Sequence, residues 1–551
     1  MHDSAPRGGC SKAGAGGARL LRSAMGGAIL AAVMASAAAA QDRESDIRIT
    51  PFQQAVAEGA AGLDALADFY RETGYAPLWT GQDENATARR VMLLNAHEIA
   101  ALHGLPTDRY RPEGIRDILA SAGDPRSLGE AEIALSKLFV ALVRGLEGGV
   151  LTPSDVAPNM KRSVTRRSDT EILRQFSSAV PAAFLRDAAP DGQEYLRLMR
   201  EKLSLEAVIA AGGWGRPVGD VKLKLGDAGD GVVRLRDRLA LMGYIEAHPG
   251  ARYDAALREA VLRFQSDHGL AEDGVAGPST LGAMDVAPET RLGQVLVAME
   301  RERWLDRELG ARHIWVNLTD YSARIVDDGE VTFETRAVIG KDEADRETPE
   351  FSDEMNHMVI NPSWYVPRSI VVGEYLPKLK KNPNALSEFK ITDRSGREVN
   401  RARGFSQYTA RSFPFSMRQP PSDTNALGLV KFMFPNKYNI YLHDTPAKSL
   451  FDRNVRAFSH GCVRLAEPFE FAYALLAMQR DDPEAYFQRI LRSGREARVN
   501  LDVPVPVHLV YRTAMARPEG GMAYRDDIYG RDARILEALL AAGVELPANR
   551  S

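Results

Sequence analysis

The strongest chemical signal in the chain is a lone thiol with two histidines nearby. Tyr441-Leu442-His443-Asp444-Thr445-Pro446 is followed by Ser459-His460-Gly461-Cys462-Val463-Arg464. A free thiol titrates at about 8.5 and is only a few per cent thiolate at neutral pH, so a nucleophilic cysteine needs a base or a favourable local field. Either histidine can supply one. His443 follows apolar Leu442 at the end of an expected strand, whereas His460 sits two residues before Cys462 in a glycine-containing turn, so His443 is the expected base. Strand alternation puts Tyr441 and His443 on one face, with the tyrosine lining the pocket that the imidazole enters. Ser459 and His460 are expected to shape the turn. Gly461 permits a backbone path that a Cβ would hinder, so the amides around Gly461 and Cys462 are expected to face a developing oxyanion. Arg464 is placed to meet a substrate carboxylate, or else to form a structural ion pair. A zinc site from His443, His460 and Cys462 is the rival reading, weakened by the lack of paired-ligand spacing and of a second cysteine nearby.

The chain has just two cysteines, Cys10 and Cys462. Arg19 and Arg22, the apolar stretch Ala24–Ala37 and Ala38-Ala39-Ala40 before Gln41 read as a secretory signal covering residues 1–40. Cleavage after Ala40 removes Cys10 and leaves one thiol in an oxidising compartment, where it can form no internal disulfide. An uncleaved signal would tether the protein to the inner membrane, and Met25 is an alternative start. A net charge of −4 gives no electrostatic basis for binding nucleic acid.

At 551 residues the chain is too long for one core, and about 150 residues per domain predicts roughly three folded units. A helical region is expected over 41–215, with stripes at Leu63, Leu66, Ala67 and Tyr70 and at Leu135, Leu138, Phe139, Leu142 and Leu146. Residues 226–287 read as a separate small helical unit. In it Val232, Leu235, Leu239 and Met242 share one face and Ala256, Ala260, Val261 and Phe264 another, before the turns at Asp273-Gly274 and Gly277-Pro278. A linker helix over 288–310 then leads into a β-rich domain over 311–535. Its expected strands include His313–Leu318, Met358–Asn361, Ile440–Leu442 and Val505–Val510. A polar interruption at about 368–420 is long enough for a lid over the site. The fold class is therefore multidomain α+β.

The segment 226–287 resembles the peptidoglycan-binding module of many cell-wall enzymes. The Ser-His-Gly-Cys turn and its upstream histidine resemble the signature of the L,D-transpeptidase family. The likeness extends through Asn361–Pro367, Asn425–Gly428, Lys431–Asn436 and Tyr524–Asp532, and the domain order is similar to the large Gram-negative branch of that family. The resemblance implies a periplasmic enzyme with Cys462 as nucleophile, His443 as base, and Trp364 and Tyr441 in the pocket. It implies peptidoglycan stem peptides and glycan as partners, other wall-synthesis proteins as further ones, and no cofactor. Cys462 would attack the third-residue carbonyl of a donor tetrapeptide, expelling D-alanine, and a side-chain amine of a second stem would then yield a 3-3 cross-link. Water as acceptor would give L,D-carboxypeptidase activity. Carbapenems are expected to acylate Cys462. The alternative from another class is an inactive wall-binding scaffold.

Overall fold

The computed structural model describes residues 49–305, 308–517 and 520–547. The expected signal segment lies outside the described residues. Among them, no helix is long and apolar enough to cross a membrane.

The N-terminal helices bury an aromatic centre in which the Phe139 and Phe176 rings stack at 3.9 Å and Trp79 lies 5.4 Å from Phe139. Its longest helix, Pro125–Gly148, begins earlier than the apolar stripe suggests, because Asp124 caps the free amides of Arg126 and Ser127. It ends at Gly149, whose φ of 75° suits glycine. Leu135, Phe139, Leu142 and Leu146 are buried, whereas Leu63 precedes its helix and is exposed. The fully buried Glu132 accepts from the Tyr70 hydroxyl and from the amides of Leu78, Trp79 and Thr80. Those donors replace the water that its charge has lost.

Helices Asp230–Leu241, Ala255–Asp267 and Pro278–Met284 enclose a second core of Val232, Leu235, Leu239, Leu257, Val261, Phe264 and Met284. Leu257, not the exposed Ala256, occupies the inward position. Gln265 is structural here, donating to Asp273 and Thr280 and accepting from the Gly274 amide. Helix Pro288–Arg303 then packs against helices Gln193–Ala210 and Arg531–Ala541, joining the N-terminal region to the end of the chain.

The β-rich region contains β1 (Arg312–Asn317), β2 (Ser322–Asp327), β3 (Glu330–Gly340), β4 (Phe351–Ile360), β5 (Trp364–Tyr365), β6 (Lys390–Thr392), β7 (Ser416–Gln419), β8 (Val430–Met433), β9 (Leu442–His443), β10 (Ala457–Ser459), β11 (Val463–Leu465) and β12 (Ala497–Val510). Nine of these form one sheet in the order β10-β3-β11-β9-β8-β4-β12-β1-β2, and β2 also pairs with β3, so the sheet closes on itself. Inward residues such as Ile314, Ile325, Ile360, Phe432, Leu442 and Val463 are fully buried together with Phe471 and Leu475 of helix Pro468–Leu476. Each such side chain contributes about 1.5–3 kcal/mol.

Strands β5, β7 and β6 form a separate small sheet. With helix Leu376–Lys381 it encloses Leu379, Phe389, Ile391, Phe405, Phe413 and Met417. This inserted subdomain therefore takes in Trp364, a few residues before the polar stretch begins. Asn425 fastens its return by donating to the carbonyls of Pro362, Gln419 and Pro420.

Candidate active site

Three neighbouring strands bring the candidate residues together. Phe432, Leu442 and Val463 lie side by side across β8, β9 and β11 and face the core. Alternation therefore puts Lys431, His443 and Arg464, the next row of cross-strand partners, on the opposite face. Tyr441 and Cys462 immediately precede β9 and β11, where the Val463 amide donates to the Tyr441 carbonyl at 3.1 Å. The expected strand over Ile440–Leu442 is shorter than predicted. Asn439 takes a φ of 58°, and the Asn436 side chain bonds both the amide and the carbonyl of Ile440, which delays regular pairing until Leu442.

His443 is buried, and its Nδ1 lies 2.5 Å from the Asp444 carbonyl. A carbonyl only accepts, so Nδ1 carries the proton and Nε2 is left as the basic nitrogen. Burial, reinforced by the charges of Arg464 and Lys431, pushes the imidazole down to about 3 against the pull of the Asp444 and Leu427 carbonyls. Burial pushes the Cys462 thiol up to about 11, opposed by the Tyr441 amide and phenol and then by Arg464 and Lys431. At neutral pH the resting pair is thus thiol and neutral imidazole. The thiol donates to the Asn439 carbonyl at 3.5 Å and makes no hydrogen bond to His443. Proton transfer between them requires the sulfur to turn from that carbonyl toward the imidazole, as happens when substrate tightens a resting site.

The turn before Cys462 is built by its own side chains. Ser459 Oγ donates to the Cys462 carbonyl and accepts from the Gly461 amide at 3.0 Å. This corrects the expected oxyanion role of Gly461, because its N–H is already engaged. The Cys462 amide has no partner among the described residues and is the donor that remains. Gly461 has a φ of 108°, and a Cβ there would lie 3.2 Å from Ile440 Cδ1. Gly428, at φ 60°, sits where a Cβ would collide with the Asp444 side chain, which itself accepts from the Leu429 amide.

His460 does not turn inward to orient the loop. It points toward the inserted subdomain, where its Nε2 lies 2.6 Å from Glu374, and Glu374 also pairs with Arg346 at 2.9 Å. Trp364 connects the same subdomain to the pocket, packing against Phe389 and Tyr375 while its indole meets the Tyr441 phenol that also faces Cys462. The insertion therefore covers the site through Trp364 and Glu374. Glu374 was not singled out from sequence, since a single carboxylate in the stretch Ile370–Pro377 carries no motif that marks it.

Support beneath the turn was also missed. The Gly461 carbonyl accepts from Thr348 Oγ1 at 2.8 Å, and that oxygen accepts from the Gly340 amide at 2.9 Å. Tyr529 donates to the Gly340 carbonyl, while the fully buried Arg531 holds Glu347, Glu350 and the Thr348 carbonyl. The Tyr524–Asp532 segment thus supports the cysteine turn from below. Among the described residues Arg464 forms no ion pair, and its buried Nε has no partner.

Comparison with known proteins agrees with this architecture. Residues 311–507 match a family model described as "L,D-transpeptidase catalytic domain", residues 64–201 one described as "Scaffold domain" and residues 228–284 one described as "Putative peptidoglycan binding domain". A relative from Haemophilus influenzae named "Putative L,D-transpeptidase" is 34% identical over 224 residues, which cover 40% of this chain and 45% of that protein. The chain thus spans less than half the length of this curated relative. Among solved structures, an L,D-transpeptidase from Xylanimonas cellulosilytica is 18% identical, covering 54% of this chain and 100% of its own with a TM-score of 0.18. One from Stackebrandtia nassauensis is 15% identical, covering 55% and 99% with a TM-score of 0.21.

Proposed function

Because the chain belongs to the L,D-transpeptidase family, with a scaffold domain and a peptidoglycan-binding module beside its catalytic domain, we propose that it forms 3-3 cross-links in peptidoglycan by cysteine acyl transfer. The observation that carries this reading is the shared outward face of Tyr441, His443, Cys462 and Arg464 beneath the inserted subdomain. Cys462 attacks the third-residue carbonyl of a donor stem tetrapeptide and His443 Nε2 takes the thiol proton. The Cys462 amide then donates to the oxyanion. Collapse breaks the bond to D-alanine, whose nitrogen receives the proton from the imidazolium, leaving a thioester. The side-chain amine of a second stem attacks that thioester, and the returning thiol closes the cycle. One amide replaces another, so no ATP is consumed, and no metal or organic cofactor enters the scheme.

Trp364 and Tyr441 form the pocket walls, Ser459 and Gly461 set the turn, and His460 ties that turn to Glu374 of the inserted subdomain. The small module would hold glycan near the catalytic domain. We place the protein in the periplasm, exported by the signal segment, where it serves wall biogenesis and cell shape alongside other wall-synthesis proteins and where carbapenems would acylate Cys462.

Incubation with a disaccharide tetrapeptide, followed by mass spectrometry, should yield a 3-3 dimer and free D-alanine, both lost in Cys462→Ala. D-alanine release without a dimer would identify an L,D-carboxypeptidase. Absence of both products would leave a wall-binding scaffold, and activity surviving in Cys462→Ala would reject the nucleophile.

A further inference from the structure

The row of outward residues beside the thiol contains two unpaired cations. Lys431 is the β8 partner of His443, and Arg464 is its β11 partner. Backbones two strands apart are separated by about 10 Å, so the two side chains flank the imidazole from opposite sides. Neither forms a hydrogen bond or ion pair with any described residue, and Arg464 Nε is buried without a partner. The Lys431 ammonium lies 5.9 Å from the Tyr441 ring centre. The carboxylate that acts on it, Glu496, already accepts from the Ser363 amide at 3.0 Å. Withdrawing two charges from water without compensation is costly, so the arrangement suits an anion that is supplied from outside.

Bond lengths indicate which anion. In a peptide cleaved one residue before its end, the terminal carboxylate is joined to the scissile carbonyl through one nitrogen and one Cα. The two carbons therefore stand only roughly 3–4 Å apart. A carbonyl poised over Cys462 Sγ keeps that carboxylate close to the sulfur, and both Lys431 and Arg464 stand near enough to interact with the charge of that sulfur. One more residue would move the carboxylate by about 3.5 Å.

Resting on the acyl-transfer reading above, we infer that Lys431 and Arg464 together bind the C-terminal carboxylate of the donor stem and so measure its length, selecting donors that end one residue beyond the attacked carbonyl. Lys431 is the specificity-determining residue that this adds. Arg464 can present a planar fork to the carboxylate, while Lys431 contributes a compact point charge.

The test compares the full chain on two donors, a disaccharide tetrapeptide ending in D-alanine and the same molecule ending in D-alaninamide. The leaving group is quantified by mass spectrometry. The unaltered protein should favour the carboxylate donor by about 10–100-fold in kcat/KM, the effect of a charge-assisted contact. In Lys431→Met that ratio should fall several-fold toward one, and Lys431→Arg should restore it, which separates recognition from a folding defect. Equal turnover of both donors by the unaltered protein, or an unchanged ratio in Lys431→Met, would overturn this assignment while leaving the acyl-transfer proposal standing. No turnover of either donor would overturn both.

Discussion

A resting thiol–imidazole pair, as opposed to a thiolate–imidazolium pair, makes a quantitative prediction for alkylation. With the Cys462 thiol pushed up to about 11, only about one molecule in a thousand carries a thiolate at pH 8, against roughly a quarter for an ordinary cysteine. Thiolate population alone would slow reaction with iodoacetamide by about 250-fold. A more basic thiolate is also a better nucleophile, and a Brønsted coefficient near 0.45 over about 2.5 units recovers roughly 13-fold, for a net retardation of about 20-fold. The sign follows from the direction of the shift: a thiol whose pKa is raised stays protonated through neutrality and becomes reactive only as pH climbs toward about 11. Reaction rates would be followed on the Cys462 peptide by mass spectrometry between pH 5 and 10, alongside free cysteine. The expected profile rises throughout with no plateau near neutrality. A plateau reached below pH 8, or a rate exceeding that of free cysteine at pH 7, would refute the argument and establish an ion pair at rest. His443→Gln should leave this resting profile nearly unchanged while abolishing turnover, because the neutral imidazole accepts a proton only once substrate is bound.

Three further outcomes test the surrounding architecture. Glu374→Gln removes the charge that receives His460 and Arg346. The loss, discounted for partial exposure, is about 1 kcal/mol or roughly fivefold; it should appear in KM for the donor and in faster hydrogen exchange over residues 368–381, and unchanged exchange there would dismiss the tether. Arg531→Met leaves Glu347 and Glu350 short of a fully buried partner, so denaturant unfolding should show a loss of about 3–5 kcal/mol, and a loss below about 1 kcal/mol would mean water or rearrangement satisfies both carboxylates. Gly461→Ala forces a side chain into the left-handed region beside Ile440; at a cost of about 1–3 kcal/mol it should depress dimer formation strongly while the chain stays folded by circular dichroism, and full activity would show that the turn relaxes freely.

Local chemistry was legible in the sequence and register was not. The helical stripes around Leu135–Leu146 and Val232–Leu239 appear as buried faces because a 3.6-residue period is visible without knowing the partner. The lone cysteine, its turn and the strand histidine were equally plain. Lys431 could not be placed beside His443, since that depends on which strands pair and in what register, and a one-residue slip reverses every side chain. The Gly461 amide was assigned to the oxyanion because glycine marks a free backbone path, yet the neighbouring Ser459 hydroxyl competes for that N–H, a local alternative that serine commonly takes. Glu374 lies 86 residues from His460, and only the tertiary fold shows that its short helical turn faces the cysteine loop.

The turn that presents Cys462 depends on segments far outside the closed sheet. Thr348 holds the Gly461 carbonyl, and the strip from Glu347 to Glu350 that carries Thr348 is gripped from three directions. Arg531 reaches it from the C-terminal helix and Arg301 from the helix preceding β1, where Arg301 also binds Asp532. From the N-terminal region the Glu350 amide donates to the Asn159 carbonyl, the Lys161 amide donates back to Glu350, and the Asn159 side chain donates to Glu347. Buried carboxylates in such a strip are tolerable only while every partner is present, because removing one leaves a desolvated charge uncompensated. The helical region thus does more than carry the catalytic domain. Its backbone completes the hydrogen bonding of the very strip on which the cysteine turn rests, which explains why the chain joins the two through short buried contacts where a flexible linker would have served a mere tether.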